Sequence, residues 1–178
     1  MLAVAGMPLG SGKVDAKVIN SGADYGTLTT PSDMAFDADG NMYIANINSN
    51  TINKIDKAGT VTEVASGGAY GTLDGPKDID FDKDGNMYVI NTGSSTVNKI
   101  TPEGAVTAIA NGGILGTLSN PMDMEIDSLG NIYITNFKST INKITPEGAI
   151  TQTTSGGIYG TYEFAYELAI DEADNLYV

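Results

Sequence analysis

Cysteine, histidine, tryptophan and arginine are all absent from the 178-residue chain. Each absence removes a class of chemistry. Without cysteine there is no disulfide and no thiolate nucleophile or metal ligand, and the redox compartment is left open. Without histidine the usual nucleophile–base pairs of acyl transfer cannot be assembled, although a serine or threonine with a lysine base stays possible on paper. Without arginine there is no bidentate reader of phosphates or guanines. All nine basic residues are lysines, set against 22 acidic ones, and the net charge of −13 repels a phosphate backbone. Nucleic acid is therefore not expected as a partner. No apolar run approaches the length of a membrane-spanning helix, so no membrane insertion is expected. Met1 to Ala5 is apolar but shorter than a signal-peptide core and lacks a basic lead, so it reads as part of the fold. There is no Asn-x-Ser/Thr sequon to report on location.

What the chain does have is a period. Pro31, Pro76 and Pro121 stand 45 residues apart, as do Gly40, Gly85 and Gly130, and Tyr43, Tyr88 and Tyr133. A fixed period of this size marks a repeat architecture. Within the copy that starts at Pro76, apolar residues alternate and each run stops at a turn signal, which predicts four short strands. Strand a carries Ile79 and Phe81 on one face, and Asp82 to Asn86 forms a hairpin turn with glycine where positive φ is needed. Met87 to Asn91 is strand b and Thr96 to Thr101 strand c. Pro102-Glu103-Gly104 turns the chain into strand d, Ala105 to Ala110. Four antiparallel strands in about 45 residues, repeated in tandem, predict a β-propeller blade.

Gly40 to Asn46, then Ile52-Asn53-Lys54-Ile55-Asp56 and Gly59, together with their counterparts in the later copies, resemble the NHL repeat. The match extends over nearly the whole chain. Ile100 to Thr107 and Ile144 to Thr151 are also similar to blades of the streptogramin-lyase-like propellers. Two positions depart from the NHL pattern. Asn46, Asn91 and Asn136 stand where NHL blades usually carry aspartate, and Thr51, Thr96 and Thr140 where they usually carry arginine. The departures leave the fold alone but weaken any transfer of NHL partner-binding surfaces.

The expected architecture is thus all-β, a single propeller domain over residues 1–178 with about four four-stranded blades. Blade copies span 31–66, 76–111 and 121–155. Residues 164–178 repeat strands a and b only, while 1–22 contain a lone strand d and, at Leu2 to Ala5, a candidate strand c. The closing blade is therefore expected to be shared between N-terminal strands c and d and C-terminal strands a and b. The same ends could instead pair between two copies, or belong to a piece of a longer ring.

Two sets of acids stand out. Asp37-Ala38-Asp39-Gly40-Asn41 and Asp82-Lys83-Asp84-Gly85-Asn86 begin like a calcium loop but lack its distal glutamate and helices, so they read as turns. The second set, Asp33, Asp78, Asp123 and Glu167, recurs on strand a, which lines the axis of a propeller. These residues form a candidate axial ring, with Asp80 and Glu125 further along the same strand face. Two roles stay open: accepting hydrogen bonds from backbone amides of the neighbouring blade, or holding a divalent cation on the axis. Lys54, Lys99 and Lys143 read as a solvated face of strand c, and Tyr43, Tyr88, Tyr133 and Tyr177 as core between blades.

Because near-identical blades present the same groups, whereas a catalytic centre needs different ones, no catalytic residue is assigned. The expected function is a non-catalytic binding or assembly module, with a protein partner or self-assembly, and no cofactor beyond a possible axial cation. The alternative is a metal-dependent lyase or lactonase-type enzyme. The streptogramin lyases that the blades resemble imply histidine chemistry, which this chain lacks. The Asn-, Thr-, Ser- and Gly-rich acidic composition suggests an extracellular, cell-surface or virion-associated protein.

Overall fold

The computed structural model describes residues 28–67, 73–111, 118–137, 140–155 and 165–178. Three four-stranded antiparallel meanders follow one another: β1 (Pro31–Phe36), β2 (Met42–Asn46), β3 (Thr51–Ile55) and β4 (Val61–Ser66); β5 (Pro76–Phe81), β6 (Met87–Asn91), β7 (Thr96–Ile100) and β8 (Val106–Asn111); β9 (Pro121–Ile126), β10 (Ile132–Asn136), β11 (Thr140–Ile144) and β12 (Ile150–Ser155). The pair β13 (Ala169–Ile170) and β14 (Leu176–Tyr177) begins a fourth blade. The outer limits of the three complete sheets coincide with the expected copies. The N-terminal strands expected to complete the fourth blade lie outside the described residues. No helix of the described residues is long and apolar enough to cross a membrane.

The turns form as their residues dictate. Gly40, Gly85 and Gly130 have φ near +80°, and Asp174, which replaces glycine in the last copy, has φ +61°. Aspartate tolerates that region because its side chain can bond locally. In each turn the leading aspartate grips the asparagine four residues on: in the second copy, Asn86 N–H and Nδ2 donate to the two carboxylate oxygens of Asp82 at 2.9 and 2.7 Å.

Each blade buries one face against its predecessor. Ile79, Phe81, Met87, Val89 and Ile100 of the second blade pack on Ala45, Ile52 and Tyr43 of the first, and Tyr43 meets Phe81 edge-on with centroids 4.9 Å apart. Met124, Ile132, Ile134 and Ile144 of the third pack on Tyr88, Ile90 and Val97 of the second. Alternation along each strand therefore serves two interfaces, and the core is a stack of layers between blades.

Inside each of the three complete blades runs a pair of buried asparagines. Asn91 accepts from Asp74 N–H at 3.0 Å and donates through Nδ2 to Asn98 Oδ1 at 2.6 Å. Asn46 with Asn53 and Asn136 with Asn142 repeat the bond at 2.8 and 2.7 Å. The positions where NHL blades carry aspartate and arginine are register partners, Asn46↔Thr51, Asn91↔Thr96 and Asn136↔Thr140. The two positions thus face each other across β2–β3, β6–β7 and β10–β11, and both residues are uncharged. Asn91→Asp is expected to lower stability by about 3 kcal/mol at pH 8, because it places an uncompensated charge in a fully buried position, and Thr96→Arg added to it should recover part of the loss. Urea unfolding measures both; an Asn91→Asp chain as stable as the parent at pH 8 contradicts this account.

Candidate functional site

Strands β1, β5 and β9 are the inner edges of their sheets, and each begins with an irregularity. Register against the neighbouring strand skips one residue between Pro31 and Asp33 and between Pro76 and Asp78; in the third blade Asp123 and Pro121 pair with consecutive residues, Thr135 and Asn136. The bulged residues are Ser32, Lys77 and Met122. A bulge re-aims side chains beside it. Together with residues 166–169 of the fourth blade, these strands line one cavity of about 850 Å³.

The structure places all four axial acids around this cavity and gives three of them the same task. Asp33 accepts from Ile79 N–H at 3.0 Å and Asp78 from Met124 N–H at 2.7 Å, while Asp123 accepts from Leu168 N–H. In each case the carboxylate of one blade takes an edge-strand amide of the next. Glu167 is exposed, and no such bond reaches it among the described residues.

Burial and mutual repulsion then act on the carboxyls. Burial, with the charges of Asp33 and Asp123 beside it, holds Asp78 well above the ordinary aspartate range. Burial raises Asp123 to about 6, with Leu168 N–H opposing, Asp33 and Glu167 adding repulsion and Lys77 relieving it. Asp80 reaches about 6 through burial, although Phe81 N–H donates to it at 2.7 Å, and Glu125 reaches about 7 through burial and the charges of Asp80 and Asp123. The cavity thus holds carboxyl groups able to keep or give a proton near neutrality. Among the described residues no three acids converge as a metal-holding group.

The turn acids behave oppositely. Burial pulls Asp82 up, but the Asn86 side chain and amide outweigh it and hold the carboxyl below its usual range; Asp37 and Asp127 follow the same pattern with Asn41 and Asn131. Every oxygen of these carboxylates is engaged within its own turn. The lysines of strand c keep part of the solvated character expected of them, with about a third of each side chain of Lys54 and Lys99 exposed, and add contacts within the blade. Lys54 lies over the Tyr43 ring at 5.4 Å from the centroid and 3.7 Å from Asp37, and Lys99 repeats this over Tyr88, 4.0 Å from Asp82. The flexible stem lies along the strand while the ammonium reaches the ring and the turn.

Sequence reasoning passed over the bulge. The residue directly after each blade proline is Ser32, Lys77 or Met122, with Tyr166 at the same place in the fourth copy, and all four line the cavity. Its signal was available as a position that changes chemistry in every copy while its acidic neighbour does not.

No protein-family model matches the sequence, and no curated protein matches it. Among solved structures, a streptogramin B lyase superposes with TM-score 0.68 at 17% identity, covering 83% of this chain and 47% of that one. A chain of a nidogen/laminin complex gives 0.67 at 18%, covering 81% and 54%. The extracellular domain of a one-component system from B. thetaiotaomicron gives 0.61 at 18%, covering 80% and 19%. The chain thus spans about half or less of the length of the structures it matches. At such identities the likeness shows the fold, a β-propeller.

Two measurements check the assignment of the axial acids. Asp78→Ala, which strands Met124 N–H, is expected to destabilise by about 1–3 kcal/mol, whereas Asp78→Asn keeps an acceptor and sheds the buried charge and is expected to be tolerated. Equal losses in urea unfolding would contradict the amide-bonding role. For pH, the folded chain holds protons on Asp80, Asp123 and Glu125 that the unfolded chain has released near neutrality, so the contribution of these three groups is full below the ordinary carboxylate range and is lost as pH rises through about 6 to 7, while the turn acids Asp37, Asp82 and Asp127 act oppositely at low pH. Asp80→Asn is expected to remove part of that decline, about 1–2 kcal/mol at pH 8 after allowing for residual water. A melting temperature that climbs from pH 5 to 8 would oppose the sign.

Proposed function

We propose that this chain is a non-catalytic propeller module that binds a protein partner at the axial mouth, in an extracellular, cell-surface or virion-associated setting. One observation carries the reading: Asp33, Asp78 and Asp123, the acids best placed to act on a ligand, are already bonded to amides of the following blade. The residue after the blade proline, or after Ala165 in the fourth copy, differs from blade to blade, so that a hydroxyl, an ammonium, a thioether and a phenol stand around one opening. A varied rim over a fixed frame suits recognition of a surface, because the frame preorganises groups that then contribute separately. A matched chain from a nidogen/laminin complex is consistent with a protein partner, and a matched extracellular domain with a place outside the cell.

A second reading, a metal-dependent lyase or lactonase-type enzyme, draws on Asp80 and Glu125, whose protons are held near neutrality inside the cavity. Titration with calcium, magnesium, manganese and zinc separates the two. The binding module is expected to show no saturable metal-dependent rise in melting temperature. A rise that is abolished by Asp80→Asn or Glu125→Gln, while Asp82→Asn leaves it intact, would favour the enzyme and overturn the proposal.

A further inference from the structure

At the far end of strand a from the axial bulge, each blade turns back into strand b. In every such turn a leading aspartate opens the bend and the residue three further on closes it at positive φ: Asp82 with Gly85, Asp127 with Gly130, Asp171 with Asp174. Between the third and fourth blades the closing residue carries a side chain that ties the two turns together. The Asp174 carboxylate accepts from Ser128 N–H at 2.9 Å and from Ser128 Oγ at 2.6 Å. Between the second and third blades the corresponding residues are Gly130, which has no carboxylate to offer, and Lys83, which brings an ammonium where Ser128 brings a hydroxyl. Both line a cavity of about 460 Å³, whose apolar wall includes Phe81, Ile126, Leu129 and Pro146. Neither the N–H nor the ammonium of Lys83 has a hydrogen-bond or ion-pair partner among the described residues. Lys99, the other cation of the cavity, is already held by Asp82 and the Tyr88 ring.

We propose that this cavity binds a small carboxylic acid with an apolar tail, its carboxylate taking the place that Asp174 takes at the next junction. One oxygen accepts from Lys83 N–H and the other from the Lys83 ammonium, the same pairing of backbone and side-chain donors from one residue that Ser128 provides, here strengthened by charge. The tail lies along Phe81, Ile126 and Pro146 beside Leu129, which is 74% exposed, and removing that surface from water adds to the ion pair. The volume suits a ligand of this size. One negative charge is favoured over the two of a phosphate, because Asp84 and Asp127 line the same cavity and the chain carries −13. Asp127 is already bonded to Asn131 and Leu129 N–H, and Asp84 is exposed to water, so neither competes closely for Lys83. Of the three junctions this one alone pairs a cation with a glycine, the first having Ala38 and Gly85. The inference is independent of what the axial mouth binds.

Hexanoate is the probe, with hexanamide as its uncharged counterpart. Amide NMR spectra of the isotope-labelled full chain are expected to show saturable shifts at Lys83, Leu129 and Gly130 with hexanoate and none with hexanamide. Lys83→Ala is expected to weaken binding roughly tenfold, the size of one charge-assisted hydrogen bond, and Lys83→Arg to keep most of it. Gly130→Asp is expected to abolish binding in a chain that circular dichroism shows to be folded, because the new carboxylate takes the place from within. Aspartate already stands at positive φ in the fourth copy, and a Cβ at Gly130 meets Pro146 Cγ at an ordinary 3.6 Å. No saturable shift with hexanoate, an equal response to hexanamide, tighter binding of hexylphosphonate, or unchanged affinity in Lys83→Ala would each overturn the proposal. The wild-type titration decides even where a variant fails to fold.

Discussion

The innermost strand of each blade is a sheet edge, and its outward N–H groups point toward a crowded centre where Ile79 and Met124 are almost wholly buried. An unmet amide there costs about 1–3 kcal/mol. The carboxylate of the preceding blade meets it, reaching across the gap between sheets that share no backbone ladder. Repeating one acid per blade therefore fixes the order and spacing of the blades around the axis. It also buries the acids and brings like charges together, and burial first, with that repulsion added, is why Asp78 and Asp123 hold protons above the usual aspartate range. Cohesion and acid–base behaviour at the centre of this fold are two consequences of one contact.

The bulge at the start of strand a links this frame to recognition. By adding one residue it turns the following acid toward the next blade and leaves its own side chain outside the ladder. The position is free to vary because nothing in the sheet depends on it, apart from Ser32, whose hydroxyl donates to Pro76 O at 2.8 Å. Lys77 uses that freedom to place a cation among acids, and relieves Asp123. Diversity around the cavity is thus found at this position and at the one that holds Ala35, Asp80, Glu125 and Ala169.

The repeat, the strand boundaries and the turns were legible because each rests on local chemistry: alternation, glycine or aspartate at positive φ, and proline at a fixed place. The shared acidic position was legible too, and so was one of its two possible tasks. What could not be read was anything requiring register between strands. The asparagine pairs looked like isolated departures from a family pattern until Asn91 was found opposite Thr96 and bonded to Asn98. The lysines of strand c read as surface, and they are part exposed, but their spacing says nothing about a tyrosine on the adjacent strand, and Tyr88 and Lys99 are register partners. The bulge was hidden for the same reason, since an extra residue is visible only against its partner.

The missing arginine completes the electrostatic design. An ion pair inside each blade would require a cation that stays charged when buried, a role for which arginine is far better suited than lysine. With asparagine and threonine in those places the blade interiors are neutral, and each asparagine both accepts from the incoming chain and donates to its neighbour, which aspartate cannot do. Lysine is released to the lower part of the blade, where its ammonium stays near water beside a turn aspartate. Buried carboxyls are thereby concentrated at the axis, where the edge amides of the next blade donate to Asp33, Asp78 and Asp123.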